Sequence, residues 1–151
     1  MAQYLTRQQI FDKSIGGIIA QGGAAVYYDG SDDRYAHGES KYNYGPMGII
    51  ATCCYRTGLT SSERACGIGQ LIADENYKRS IERKPVSAIP NVHLVLPDID
   101  ISTNMPFLVD IQSCHDEATE AANNDEEFFV AFLTGARELA ATYNLSAEIL
   151  G

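Results

Sequence analysis

Met47-Gly48-Ile49-Ile50-Ala51-Thr52-Cys53-Cys54-Tyr55 is a largely apolar run bounded by turn signals. Its reading decides the fold. A run this short fits either a central strand or a piece of buried helix, and periodicity alone does not separate the two. We read it as a strand. Upstream lie residues 29–46, rich in Gly, Ser, Asp and Tyr and closed by Gly45-Pro46, which read as a surface loop with Tyr35, Tyr42 and Tyr44 on it. Before the loop, Ala24-Ala25-Val26-Tyr27-Tyr28 reads as a short strand stopped by Asp29-Gly30. Earlier still, Thr6-Arg7-Gln8-Gln9 forms a capping box, Ile10, Phe11, Ile15, Ile18 and Ile19 form a helical stripe, and Gly22-Gly23 ends it.

Downstream of the run, Thr60 and Glu63 have capping-box spacing. Gly67 and Gly69 weaken any helix over 65–72 by about 1 kcal/mol each relative to Ala, and instead allow a close approach of backbone to another element. Asp74-Glu75-Asn76-Tyr77 begins a short polar helix or turn, and Val92-His93-Leu94-Val95-Leu96 reads as a short strand within the irregular Pro85–Pro97 stretch. Asn104 is placed to cap the next helix with Pro106 in its first turn. Phe107, Leu108, Ile111, Cys114, His115 and Ala118 share a face of that helix. Asn123-Asn124-Asp125 interrupts the pattern, and Phe128, Phe129, Phe132, Leu133, Ala136, Leu139, Ala140 and Tyr143 carry a last long helix.

The net charge of −9 is unevenly placed. Residues 1–84 sum to +1, whereas residues 85–136 hold nine acids and no Lys or Arg. A surface of this sign favours basic partners and repels nucleic acid, whose phosphates need clustered cations. No 18-residue apolar window spans a bilayer, and the N-terminus does not read as a signal peptide, so the expected location is the cytoplasm. Cys53, Cys54, Cys66 and Cys114 fit no common zinc spacing and read as reduced thiols, most of them buried.

Cys54-Tyr55-Arg56, Cys66-Gly67-Ile68-Gly69-Gln70-Leu71-Ile72, Asp74-Glu75-Asn76-Tyr77 and Ile111-Gln112-Ser113-Cys114-His115-Asp116 together form a pattern. With Gln9-x-Phe11-Asp12, this pattern resembles a loose group of small proteins encoded by phages and prophages. The resemblance covers most of the chain and departs at Gly67, where Ala is commoner. It implies a phage-encoded or prophage-encoded context and, in that context, no particular reaction.

Two chemical constellations stand out. Cys66, His115 and Asp116 occur in an order a thiol enzyme tolerates, but Cys66 lies in an apolar run and His115 on an apolar helix face. Adjacent helical residues also diverge by about 100°, which argues against a simple His115–Asp116 dyad. Cys54, Cys66, Cys114 and His115 could supply zinc with thiolates and an imidazole, although no short ligand pair pins the geometry. The Asp74-Glu75 and Asp98-x-Asp100 pairs lack evidence of convergence. Gly67-Ile68-Gly69 is no dinucleotide fingerprint. The Lys78-Arg79-x-x-x-Arg83-Lys84 cluster reads as a solvated face, or as a counterpart of the acidic block in a homo-oligomer.

The chain is therefore expected to form one α+β domain over residues 1–151, with helices at about 7–21, 105–121 and 125–143 packed on a small central antiparallel sheet and a predominantly helical C-terminal half. The expected function is non-enzymatic: a phage or prophage accessory protein in a bacterial cytoplasm, for example one that inhibits a host factor. Its binding face for a partner with a basic surface would be Asp98, Asp100, Asp116, Glu117, Glu120, Asp125, Glu126 and Glu127, with the tyrosine-rich loop as a second contact. No cofactor, metal, nucleic acid or membrane is expected. The alternative is a small cysteine-dependent hydrolase or metalloprotein using Cys66 and His115.

Overall fold

The computed structural model describes residues 3–28, 51–57, 64–82 and 84–151. The tyrosine-rich loop, Met47–Ile50 and the Thr60–Glu63 capping box lie outside the described residues. Helix α1 runs Arg7–Gln21. Its capping box is present in full: the Gln9 N–H donates to Thr6 Oγ1 at 3.1 Å, and the Thr6 N–H donates to Gln9 Oε1 at 2.9 Å. Gly22, at φ 91°, ends the helix in the left-handed conformation that glycine adopts without a Cβ penalty. Strands β1 (Val26–Tyr28) and β2 (Ala51–Cys53) pair antiparallel, with Val26 opposite Cys53. Four short 3-10 turns between Gly69 and Ala88 lead to a single helical turn, α2 (Val92–Val95). Two long helices follow, α3 (Ile101–Glu120) and α4 (Asp125–Thr142). Four residues join them, a connection short enough to make them antiparallel neighbours.

The expected helices on a central sheet are not what forms. Among the described residues, β structure amounts to the three-residue ribbon and an isolated bridge between Arg56 and Ala65. The architecture is mostly helical. The physical reason lies just past β2. The Tyr55 N–H donates to Glu82 Oε1 at 2.8 Å and the Arg56 N–H to Glu82 Oε2 at 3.1 Å. A side-chain carboxyl group thus satisfies two backbone donors that a further strand would otherwise have taken.

Two local expectations are also corrected. Val92–Leu96 is not a strand: Asn91 adopts φ 53°, and the Leu94 and Leu96 N–H groups close onto the Asn91 and Val92 carbonyls. Asn104 is not a cap. Helix α3 begins four residues earlier, after Asp100, and Pro106 sits inside it. Asn104 is buried, donating through Nδ2 to the Asp100 carbonyl at 3.0 Å and accepting from Arg7 Nε at 3.0 Å. It is a tie between α3 and α1. Helix α4 keeps its expected start, with Asn124 Oδ1 accepting the Glu127 N–H at 2.9 Å.

One continuous core joins Ile10, Phe11, Ile15 and Ile18 of α1 with Phe107, Leu108 and Ile111 of α3 and Phe128, Phe132 and Ala136 of α4. Ile68, Ile81, Val86 and Leu96 of the irregular segment fill the space against it. The close approach expected at the glycines is realised. A Cβ on Gly69 would fall 2.0 Å from the Tyr55 carbonyl oxygen, and one on Gly67 would fall 2.6 Å from Ile111 Cγ2. An Ala at 67 would therefore require the Ile111 side chain to give way.

Candidate functional site

Four of the residues quoted for the resemblance, Tyr55, Arg56, Tyr77 and Gln112, converge in the interior. Arg56 is 2% exposed. Its guanidinium donates to Asp74 Oδ1 at 2.7 Å and to the Ile72 carbonyl, and lies 5.0 Å from the Tyr77 ring centroid. The Tyr77 hydroxyl meets Glu82 Oε2 at 2.6 Å. Glu82 thus holds three donors. Burial nevertheless pushes its carboxyl up to about 8, against the pull of those donors and of the Arg56 charge. The Tyr55 hydroxyl donates to the Lys84 carbonyl at 2.5 Å and accepts from Gln112 Nε2 at 2.9 Å. Gln112 Oε1 in turn accepts the Val86 N–H at 3.0 Å. This knot fastens the irregular 72–86 segment to β2 and α3. Its side chains satisfy backbone that has no regular ladder of its own.

His115 is fully buried. Its Nε2 accepts the Ala25 N–H at 3.0 Å, and its Nδ1 lies 2.8 Å from Asp116 Oδ1. The pair that helix geometry argued against does form. The 100° divergence applies where the side chains leave the backbone, and their far ends still come within hydrogen-bond distance. With Nε2 engaged as an acceptor, the Nδ1–H tautomer donates to Asp116. Nε2 thus holds the lead-in of β1 to α3, while the Nδ1 contact, within α3, fixes the ring. Cys66 is also fully buried, and its sulfur accepts the Gly69 N–H at 3.4 Å. Burial first, then the negative charge of Asp116, pushes its thiol up, opposite to what a nucleophile needs. Among the described residues, no three or more His, Cys, Asp or Glu side chains gather as metal ligands, so Cys54, Cys66, Cys114 and His115 do not form a ligand set.

The acidic residues divide. Asp98 and Asp100 stand at the start of α3. Glu117 and Glu120 stand near its end, some 17 residues on, about 25 Å along the axis. Asp100 accepts from the Ser102 and Thr103 hydroxyls, which hold its carboxyl below the usual range. Asp116 turns to His115. Asp125 is gripped by Arg64 through two contacts of 3.1 Å. Glu117, Glu120, Glu126 and Glu127 remain exposed together, where the end of α3 meets the start of α4.

Two of them, Glu117 and Glu127, border a groove of about 570 Å³ between the two helices. Glu117, Glu127 and Glu138 rim it, and Ala118, Ala131 and Val130 line it. Val130 is 70% exposed. Among the described residues no cation pairs with Glu117, Glu127 or Glu138. Cys114 lines the same groove, and burial, together with the charges of Glu117 and Glu138, pushes its thiol up to about 12. Glu138 and Val130 are the residues the sequence reading missed. The signal was present: Glu127, Val130, Thr134 and Glu138 recur at helical spacing on the side of α4 away from Phe128 and Phe132.

Among the described residues no helix is long and apolar enough to cross a membrane. No family model, curated protein or solved structure matches the chain.

Proposed function

We propose that this chain acts without catalysis, by binding a protein that presents a basic segment to the acid-rimmed groove between α3 and α4. The observation that carries the reading is the groove itself, with three carboxylates around an apolar floor and, among the described residues, no cation paired with them. A segment pairing Lys or Arg side chains with small apolar ones would bury Val130 and its neighbours while its charges meet Glu117, Glu127 and Glu138. Such complementarity raises association rates and selects partners. The resemblance supports reading the chain as an accessory protein of a phage or prophage, with a bacterial host protein or a phage protein as the proposed partner.

The test is affinity capture from a bacterial lysate with the wild-type chain and with a Glu117→Lys/Glu127→Lys/Glu138→Lys variant, both verified as folded by circular dichroism. The expected result is a captured protein that the variant loses and that 0.5 M salt releases. Identical capture by the two chains removes the groove from the function.

A further inference from the structure

A second concavity, of about 540 Å³, lies between residues of the 75–81 stretch with Lys84 and the Asn91–Val95 turn. Its chemistry is opposite to that of the α3–α4 groove. Lys78 and Lys84 line it, against the single carboxylate of Glu75. In a chain of net charge −9 this is a local excess of positive charge. The apolar side is built from Ile81 and Val95, both buried, and from Leu94, which is 63% exposed. A leucine held that far into solvent beside two ammonium groups makes an amphipathic lining. The lysine stems can cover apolar surface while their heads stay at the mouth. Among the described residues no carboxylate forms an ion pair with Lys78 or Lys84; the Lys84 ammonium donates to the Ser80 carbonyl at 2.8 Å. The volume falls within the range of small-molecule sites, which combine an apolar body with a few polar groups.

We propose that this pocket binds a small amphipathic anion, an apolar body of a few hundred daltons carrying one carboxylate or one phosphate. Its apolar part covers Leu94 and Ile81, and its charge is met by Lys78 and Lys84. The site does not depend on the α3–α4 groove, and its ligand has the opposite charge to the partner proposed there.

The probe is 8-anilinonaphthalene-1-sulfonate, followed by fluorescence on the folded 151-residue chain. A Lys78→Glu/Lys84→Glu variant is expected to bind it at least tenfold more weakly, and Leu94→Asp similarly. Lys13→Glu/Arg137→Glu makes the same change in net charge at exposed positions elsewhere and is expected to stay within twofold of wild type. Equal weakening by both double variants, or none by either, overturns the proposal. On the wild-type chain, decanoate or decyl phosphate is expected to displace the probe, and the comparison of the two identifies the preferred head group. Displacement by decanol as effective as by decanoate, or by neither anion, overturns it without reliance on any variant.

Discussion

The imidazole of His115 and the backbone N–H of Ala25 meet at 3.0 Å inside the core, ninety residues apart in the chain. This contact joins α3 to the lead-in of β1, and the Nδ1 contact with Asp116 fixes the ring that makes it. Replacing His115 with Ala strands the Ala25 donor in a dry site and opens a cavity against Phe128, whose ring stands 5.6 Å from the imidazole. An unsatisfied buried donor costs about 1–3 kcal/mol, and the lost packing adds to it. Urea denaturation of His115→Ala should therefore show a loss of about 3 kcal/mol. A variant of wild-type stability would refute the fastening role.

Glu82 links stability to pH. Its carboxyl is raised to about 8 in the folded chain from an ordinary value near 4.5. A raised group contributes its full stabilisation below the unfolded value and loses it as pH climbs through the folded one. Wild-type stability is therefore expected to fall steadily between about pH 4.5 and 8. Glu82→Gln should flatten that slope. It should also cost about 1–3 kcal/mol at pH 6, because an amide cannot accept from both the Tyr55 and Arg56 N–H groups and the Tyr77 hydroxyl. Urea midpoints of both chains at pH 5, 6.5 and 8 measure this, and parallel curves would show that Glu82 is not the titrating group.

The two glycines of the 66–69 turn predict an order of damage. At Gly69 a methyl group would meet backbone, the Tyr55 carbonyl oxygen at 2.0 Å, and backbone tied at both ends cannot withdraw. At Gly67 it would meet the Ile111 side chain at 2.6 Å, which can rotate or slide. Overpacking of the second kind costs about 1–3 kcal/mol. Gly67→Ala should fold with a loss in that range, while Gly69→Ala should lose substantially more. Thermal melts of the two variants give the comparison directly, and the reverse order would contradict the packing described.

Asn124 caps the start of α4, and the Glu127 carboxylate returns to the Asn123 N–H at 3.1 Å. Asn124→Ala should cost about 1 kcal/mol, the usual size of a lost cap. Asp125→Ala should cost no more than about 1 kcal/mol, because its pairing with Arg64 is partly exposed and screened by water. Chemical denaturation in low and high salt separates the two, since only the Asp125 effect should shrink as salt rises.

The long helices were legible because their signals are local. Thr6 and Gln9 stand three residues apart, as do Asn124 and Glu127, and the apolar stripes of α1, α3 and α4 recur at the helical period. The start of α3 was misread because Asn104 has the chemistry of a cap but spends both ends of its amide on Asp100 and Arg7. The central sheet was expected from an apolar run that does supply a strand, Ala51–Cys53, but no local signal says what lies beside it. Glu82, 26 and 27 residues away from Arg56 and Tyr55, accepts their backbone N–H groups. The acidic face was legible as a charge imbalance and illegible as a place. Charge counts do not reveal that Asp116 turns to an imidazole, that Asp125 is held by Arg64, or that Asp98 and Asp100 stand a helix length from the others.

Helices α3 and α4 contain no lysine, and neither does the turn between them. The hairpin that carries the groove therefore presents no primary amine to chemistry. Reagents that bridge two amines pass over it, and enzymes that acylate or conjugate lysine have nothing to attack there. A partner seated on this surface will be recorded by carbodiimide coupling, which joins the hairpin's carboxylates to the partner's amines, and such coupling would mark the occupant by its own lysines.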